Sequence, residues 1–514
     1  MAVAPLLLIF LLTIVASTSA APPSHFISHL PGFSGSFPSN HYSGYITVDE
    51  EHEKNLFYYF VTSEGNPAED PVVLWMNGGP GCSSFDGFVY ENGPFNFEAG
   101  NTSGTLPVLH LNPYSWSKVS SVIYLDSPAG TGLSYSLDHS DYITGDIKTA
   151  ADSHKFLLKW FELYPEFTDN PFYISGESYA GVYIPTLAAE VVKGIKEGAK
   201  PVINFKGYLI GNGVTDMDID ANSFVSFAHG MGLIPEDLYV EVHSVCEGKY
   251  YKNDNVTCQE KVAQVRLDLK DLNKYHILEP CFHSPEQQEA EFVNSQLPSS
   301  FRKLGETERP LQVRKRMFGR AWPLNLPVQE GRVPTWPELS RSLPCTSDEI
   351  ASSWLNNQAV RSAIHAETIN ITGPWELYTA KIDFTHDTGS MIEYHKNFTI
   401  QGYRALIYSG DHDMCIPFTG TEAWTRSLGY KTIDKWRPWF YNDQVAGYIR
   451  GYDHNLTFMT VKGSGHAVPE YKPKEALAFY SRWREELRSS ILSYGEQERK
   501  NEPSFYYIII IILK

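Results

Sequence analysis

The chain has 514 residues, 42% of them apolar and 20% charged, a composition that excludes wholesale disorder and allows a large buried core. Length alone admits one big domain or two to three ordinary ones. The formal charge of −18 argues against a nucleic-acid surface. No repeat of solenoid or propeller spacing is present, and no internal run reaches the roughly 20 apolar residues that span a bilayer.

Residues 1–20, MAVAPLLLIFLLTIVASTSA, hold an apolar stretch from Leu6 to Val15 followed by small residues, the shape of a secretory signal. A buried first helix is the competing reading, but the prolines of APPSH would stop it. Five sequons, at Asn101, Asn255, Asn370, Asn397 and Asn455, suit a glycosylated lumenal protein. The six cysteines suit the same compartment. Cys246 and Cys258 enclose a short loop that a disulfide could close, and Cys281 and Cys345 enclose a longer one, although spacing cannot fix connectivity. The absence of CxxC pairs gives no support to a thiolate zinc site, and neither a metal nor a cofactor is expected.

Several short apolar runs end in loops rich in glycine or aspartate. In chain order these are PVVLWMNGGPG, SSVIYLDSPAGTG, PFYISGESYAG, FKGYLIGNG, RALIYSGDHD and LTFMTVKGSGH. Such runs read as buried strands. Between the second and third, DIKTAADSHKFLLKWFELYPEF predicts a helix with Ile147, Ala150, Ala151, His154, Leu157, Leu158 and Phe161 on one face. Asp146 is placed to cap its start and Pro165 to end it. Strands alternating with helices imply an α/β protein with a central, mainly parallel sheet covered on both faces.

After about residue 215 the strand signals thin out, and they resume near 350. The expected organisation is a signal over 1–20, a first core part over 21–215, a cap insertion over 216–350, a second core part over 351–487 and a tail over 488–514. The insertion carries four of the cysteines and the basic stretch LGETERPLQVRKRMFGRAW, read as a solvated loop and a candidate processing site. The tail ends in SFYYIIIIILK, too short to span a membrane and aggregation-prone in composition, and no role is assigned to it.

Ligands of open α/β sheets gather at the carboxyl ends of the strands. Ser178, Asp413 and His466 each lie just past such an end, in the chain order of α/β-hydrolases. A serine hydroxyl needs an imidazole to take its proton, and the imidazole needs a carboxylate to fix its tautomer. GESYAG offers a strand-to-helix elbow for the serine, although G-x-S-x-[GA] alone is equally a structural turn. WMNGGPGCSS is a second glycine loop able to aim backbone N–H groups at an oxyanion, and as readily an ordinary tight turn.

Taken together, NGGPGCSS, ENGP, GESYAG, YSGDHDMC and GSGHAVPEYKP resemble the signature segments of the serine carboxypeptidases, in the same order. The likeness runs from about residue 30 to 487 and is closest to plant-type vacuolar or secreted members similar to carboxypeptidase C. It implies an α/β-hydrolase fold with a helical cap insertion. It places the nucleophile at Ser178, the general base and acid at His466, and the oxyanion donors at the Gly79 and Tyr179 N–H groups. Between Asp411 and Asp413, which spacing leaves open, it selects Asp413, with Asp411 shaping the loop. It assigns recognition of the substrate carboxylate to Asn77, the Gly78 backbone, and Glu177 paired with Glu91. Two carboxyl groups in contact cannot both ionise easily, so the pair would hold a proton and activity would favour acidic pH.

The resemblance further implies peptide or protein C-termini as substrates, a vacuolar or extracellular location, and no membrane anchor, while a homodimer stays open. DMCIPF after the acid loop looks more like members that prefer apolar residues. One departure stands out: relatives pair the cysteine of GGPGC with one in a WELC-like segment, and here GPWELYTAK has Tyr378. Cys82 is then unpaired unless it finds Cys415. Two rival readings remain. Acyltransferases on the same scaffold use sugar-ester donors, but usually alter the asparagine before GGPG and carry Asp before the serine, whereas Asn77 and Glu177 keep the peptidase form. A non-catalytic secreted glycoprotein scaffold is opposed by the intact Ser178, Asp413 and His466.

Overall fold

The six apolar runs become six neighbouring strands of one sheet. The computed structural model describes residues 21–98, 106–270, 272–279, 320–321, 326–327 and 349–485. The expected signal, Asn101, Cys281, Cys345, the tail and all of the basic stretch except Arg320–Ala321 lie outside these residues. The strands of the main sheet are β1 (Phe26–Ile27), β2 (His41–Asp49), β3 (Lys54–Val61), β4 (Val72–Met76), β5 (Ser121–Leu125) and β6 (Phe172–Glu177). They continue with β7 (Phe205–Gly211), β8 (Arg404–Gly410), β9 (Thr432–Tyr441), β10 (Gln444–Tyr452) and β11 (Leu456–Val461). Across the sheet they lie in the order β1-β2-β3-β5-β4-β6-β7-β8-β11-β10-β9.

The strands from β5 to β11 in that order run parallel, and antiparallel hairpins extend both edges. Side chains alternate between two cores, as strand geometry requires. Val73 and Trp75 enter one core, Val72, Leu74 and Met76 the other. Burial on both faces explains why these strands read as unbroken apolar runs. This is the α/β-hydrolase architecture that the sequence implies.

The predicted helix forms as α1 (Asp146–Leu163), and Pro165 opens a 3-10 turn directly after it. Its buried face differs from the expected one. Thr149, Ser153, Phe156 and Trp160 join Ala150, Leu157 and Phe161 inside, while Ile147 is 57% exposed. Trp160 and Phe156 set the rotation: Trp160 packs edge-on against Phe60 and Phe156 against Tyr58. Asp146 is the first helical residue rather than the cap, and its carboxylate turns inward to Tyr179 and Thr388.

A second long helix, α2 (Ala180–Glu197), follows β6. After β7 the chain forms α3 (Met217–Gly230), α4 (Glu236–Cys246) and α5 (Val256–Asp268), which pack around a core of their own with Met414. The Cys246–Cys258 disulfide ties α4 to α5, as one of the two loop closures anticipated. Residues 272–279 then return to the sheet. There the Met414 N–H donates to the Lys274 carbonyl at 2.9 Å and the Ile277 N–H to the His412 carbonyl at 3.0 Å.

Candidate active site

β6 ends at Glu177, α2 begins at Ala180, and Ser178 between them has a φ of +62°. Such a conformation is uncommon for a residue with a side chain and persists only where its surroundings hold it. Here the Ser178 N–H donates to the Gly211 carbonyl at 3.1 Å, and the Ser178 carbonyl accepts from Gly181 and Val214, both at 2.9 Å. The glycine pattern follows from crowding. A Cβ at Gly176 would lie 2.1 Å from the Met76 carbonyl oxygen, and one at Gly181 would lie 2.2 Å from that of Val214.

Asp413 and His466 follow β8 and β11, which are adjacent and parallel, so their loops emerge at one end of the sheet. His466 Nδ1 and Asp413 Oδ2 are 2.7 Å apart. Because the carboxylate can only accept, it holds the imidazole in the Nδ1–H form and leaves the Nε2 lone pair facing away. Nε2 is buried and has no hydrogen-bond partner among the described residues, so a bond from the Ser178 hydroxyl is not made in this state. Hydrogen bonds of this kind often tighten only when substrate arrives.

Sequence reasoning missed the groups that hold this pair. Asn212, in the GNG turn after β7, donates from Nδ2 to Asp413 Oδ2 at 2.8 Å and accepts from the Gly410 N–H at 2.9 Å. The Cys415 and Ile416 N–H groups also donate to Asp413. The His466 N–H donates to the Tyr275 carbonyl at 2.7 Å. Asp411 instead accepts from the Gly463 N–H at 2.6 Å and contacts His412, bracing the loop.

The NGGPG loop packs directly on the elbow. A Cβ at Gly78 would lie 2.3 Å from the Tyr179 nitrogen and 2.7 Å from Ser178 Cβ. Neither the Gly79 nor the Tyr179 N–H has a backbone acceptor among the described residues. Buried Asp126 secures the loop, accepting from Ser83 Oγ at 2.7 Å, the Ser84 N–H at 2.8 Å and the Leu133 N–H at 2.9 Å. Burial pushes its carboxyl up to about 6.

Beside the serine lies a carboxyl pair. Asn77 Oδ1 accepts from Trp75 Nε1 and the Gly87 N–H, which aims Asn77 Nδ2 at Glu91 Oε1, 2.8 Å away. Glu91 and Glu177 are both buried. Burial, then the charge and hydrogen bond of Glu91, push the Glu177 carboxyl well above the usual range. Burial also raises Glu91, but the hydrogen bonds from Asn77 and Glu177 oppose the rise. The proton therefore rests on Glu177. Glu91, Glu177 and Asp86 can place one oxygen each within 4.8 Å of one another. The proton on Glu177 and the Asn77 amide on Glu91 occupy two of those groups and disfavour a cation there.

Cys82 and Cys415 are both free thiols, and burial pushes each up to about 12. Cys82 forms an isolated antiparallel bridge with Tyr378, the position where the sequence departs from the family pattern. Asn255, Asn370, Asn397 and Asn455 are exposed. No helix among the described residues is long and apolar enough to cross a membrane.

An α/β-hydrolase sheet bearing a serine elbow and an Asp–His pair at one end is the frame of a serine hydrolase. Residues 31–486 match the family model for serine carboxypeptidase. Serine carboxypeptidase 1 of Hordeum vulgare is 63% identical over 464 residues, 90% of this chain and 93% of the barley protein. Serine carboxypeptidase-like 20 of Arabidopsis thaliana is 62% identical over 470 residues, 91% of this chain and 94% of its own. Kex1(delta)p, a prohormone-processing carboxypeptidase from Saccharomyces cerevisiae, has a solved structure that matches with a TM-score of 0.68. That match covers 90% of this chain and 96% of the yeast chain at 22% identity, so it bears on the fold alone. The chain belongs to the serine carboxypeptidase family and is an enzyme of that class.

Proposed function

We propose that the enzyme releases single residues from peptide C-termini through an acyl-enzyme on Ser178, most actively at acidic pH. His466 takes the Ser178 proton through Nε2 as the hydroxyl attacks the last peptide carbonyl, then hands it to the departing amine. Asp413 keeps the imidazole oriented and balances its charge. The N–H groups of Gly79 and Tyr179 receive the oxyanion, each worth roughly 2.7–4 kcal/mol in such sites. Water then attacks the ester with His466 again acting as base.

The observation that carries the carboxypeptidase reading is the buried Glu177–Glu91 carboxyl pair, one residue before the serine, whose burial and proximity favour a proton on Glu177. A free C-terminal carboxylate needs hydrogen-bond donors, and Asn77, the Gly78 N–H and the Glu177 hydroxyl, which turns from Glu91 to the substrate as it binds, supply them without a fixed positive charge. DMCIPF after the acid loop resembles family members that prefer apolar residues, which supports an apolar C-terminal residue in the substrate. The signal-like N-terminus and the exposed sequons support a secretory-pathway enzyme of the vacuole or the extracellular space.

Labelling by a fluorophosphonate, absent in Ser178→Ala, separates a catalyst from a scaffold. Release of free amino acids from N-blocked dipeptides, without transfer from a glucose ester, then separates a peptidase from an acyltransferase. Turnover of the ester alone would overturn the reading.

A further inference from the structure

Tyr179 contributes more than its amide. Its phenol oxygen lies 2.6 Å from Asp146 Oδ1 and 2.5 Å from His386 Nδ1. A carboxylate can only accept, so the Tyr179 hydroxyl donates to Asp146 and must itself accept from His386. His386 therefore carries its proton on Nδ1. That bond survives in both the neutral ring and the imidazolium.

The acceptor at the centre is itself fixed. Asp146 Oδ2 takes the Thr388 N–H at 3.1 Å and Thr388 Oγ1 at 2.8 Å. Asp387 Oδ1 accepts from the Ile147 N–H at 3.1 Å, and Asp383–Thr385 runs parallel to Ile143–Gly145. One short segment, 383–388, is thus laced both to the start of α1 and to the residue after the elbow serine. The Tyr179 ring is also packed edge-on against Tyr183 and Phe384.

We propose that His386 is a positioning residue: through the Tyr179 phenol it fixes the backbone at 178–179 and so aims the Tyr179 N–H at the oxyanion. This rests on the acyl-enzyme reading above, in which that N–H is a donor. The elbow depends on such support, because Ser178 holds a positive φ and its amide neighbour must point at a position occupied only during reaction. His386 itself is exposed, so deleting its ring opens no core cavity. A purely structural role would leave turnover unchanged.

The test compares His386→Ala and His386→Asn with wild type on an N-blocked Phe-Leu dipeptide, reading kcat and KM separately alongside the melting temperature. Asparagine returns an N–H donor near the place of Nδ1. His386→Ala is expected to lower kcat about three- to tenfold, the rate equivalent of one hydrogen bond, with KM and melting temperature close to wild type. His386→Asn is expected to recover most of that loss. Unchanged kcat in His386→Ala, a rise in KM alone, or an asparagine variant no better than alanine would each overturn the proposal. Fluorophosphonate labelling of wild type keeps the two readings apart. An unlabelled Ser178 removes the acyl-enzyme reading and this inference with it, whereas a labelled enzyme indifferent to residue 386 removes this inference alone.

Discussion

Glu177 and Glu91 meet as two buried carboxyl groups, with the Asn77 amide closing the far side of Glu91, and burial together with the charge of Glu91 favours a proton on Glu177. Loss of that proton would put two negative charges in contact and, in the proposed role of Glu177, replace a donor toward substrate by a repulsive carboxylate. The predicted pH–rate profile for dipeptide release therefore falls as pH rises through the raised value of Glu177. Glu177→Gln keeps a donor that cannot titrate, so its activity falls less steeply on the alkaline side. A profile for the variant that parallels wild type would count against the shared proton.

Stability follows the same group with a definite sign. A carboxyl that binds its proton more tightly folded than unfolded stabilises the fold fully below its unfolded value, and that contribution is lost as pH rises through the folded one. Melting temperature should accordingly decline from about the ordinary glutamate range upward in wild type. Glu177→Gln should flatten that decline, measurable by calorimetry at a series of pH values.

Asn212 gives the second test of the site. It is the side chain that joins the β7 turn to Asp413 and to the Gly410 N–H together. A hydrogen bond to a charged group is worth ~1.5–3 kcal/mol. Asn212→Ala should then cost about ten- to a hundredfold in kcat, with Ser178 still labelled, though more slowly. Labelling at the wild-type rate would show that Asp413 needs no such support.

How much of this was readable in advance depends on the kind of contact. The strands were legible because burial on both faces leaves runs such as VVLWM with no polar alternation. Ser178 and His466 stood out because each follows a strand end, whereas choosing Asp413 over Asp411 needed the resemblance to the serine carboxypeptidases. Asn212 was not, since an asparagine between two glycines is also what any turn contains. The face of α1 was misjudged at Ile147 because periodicity counts apolar residues but cannot weigh Trp160 and Phe156 against them, nor see Asp146 drawn inward by Tyr179. The Tyr275 carbonyl that holds His466 is backbone, and its position leaves no mark on residue choice.

The Cys82–Tyr378 bridge explains what the missing cysteine would have done. The Ser83 N–H donates to the Leu377 carbonyl at 2.9 Å and the Thr379 N–H to the Gly81 carbonyl at 3.0 Å. Cys82 and Tyr378 thus form a non-hydrogen-bonded antiparallel pair, in which Cα atoms sit about 4.5 Å apart and side chains approach closely. That spacing falls inside the roughly 4.4–6.8 Å window for disulfides. Tyr378→Cys should close a bond to Cys82 without moving the backbone. The expected outcome is one fewer titratable thiol in the denatured, unreduced variant and a gain of ~2–4 kcal/mol that reductant abolishes.

A last prediction concerns how the fold tolerates acid. Buried Lys54 lies 2.9 Å from Asp141 Oδ1 and 3.1 Å from Asp152 Oδ2, joining β3 to α1 and to the turn before it. Lys148 and His52 also contact Asp141. Burial opposes ionisation of Asp141, but hydrogen bonds from Lys54, Ser136 and Lys148 win and hold its carboxyl well below the ordinary range. A carboxyl with a depressed value stabilises the fold above its unfolded value and loses that contribution only as pH falls through the folded one. Asp141 therefore stays charged through the acidic range in which the enzyme is proposed to work. Lys54→Met leaves buried Asp152 without its cation and Asp141 with only Lys148 and His52, a loss of ~3–5 kcal/mol at neutral pH. The deficit should shrink as pH drops, because Asp141 without the Lys54 hydrogen bond takes up its proton before that of wild type does. Denaturation curves at neutral and acidic pH check this, and a deficit that grows on acidification would mean that the cluster is not what holds β3 to α1.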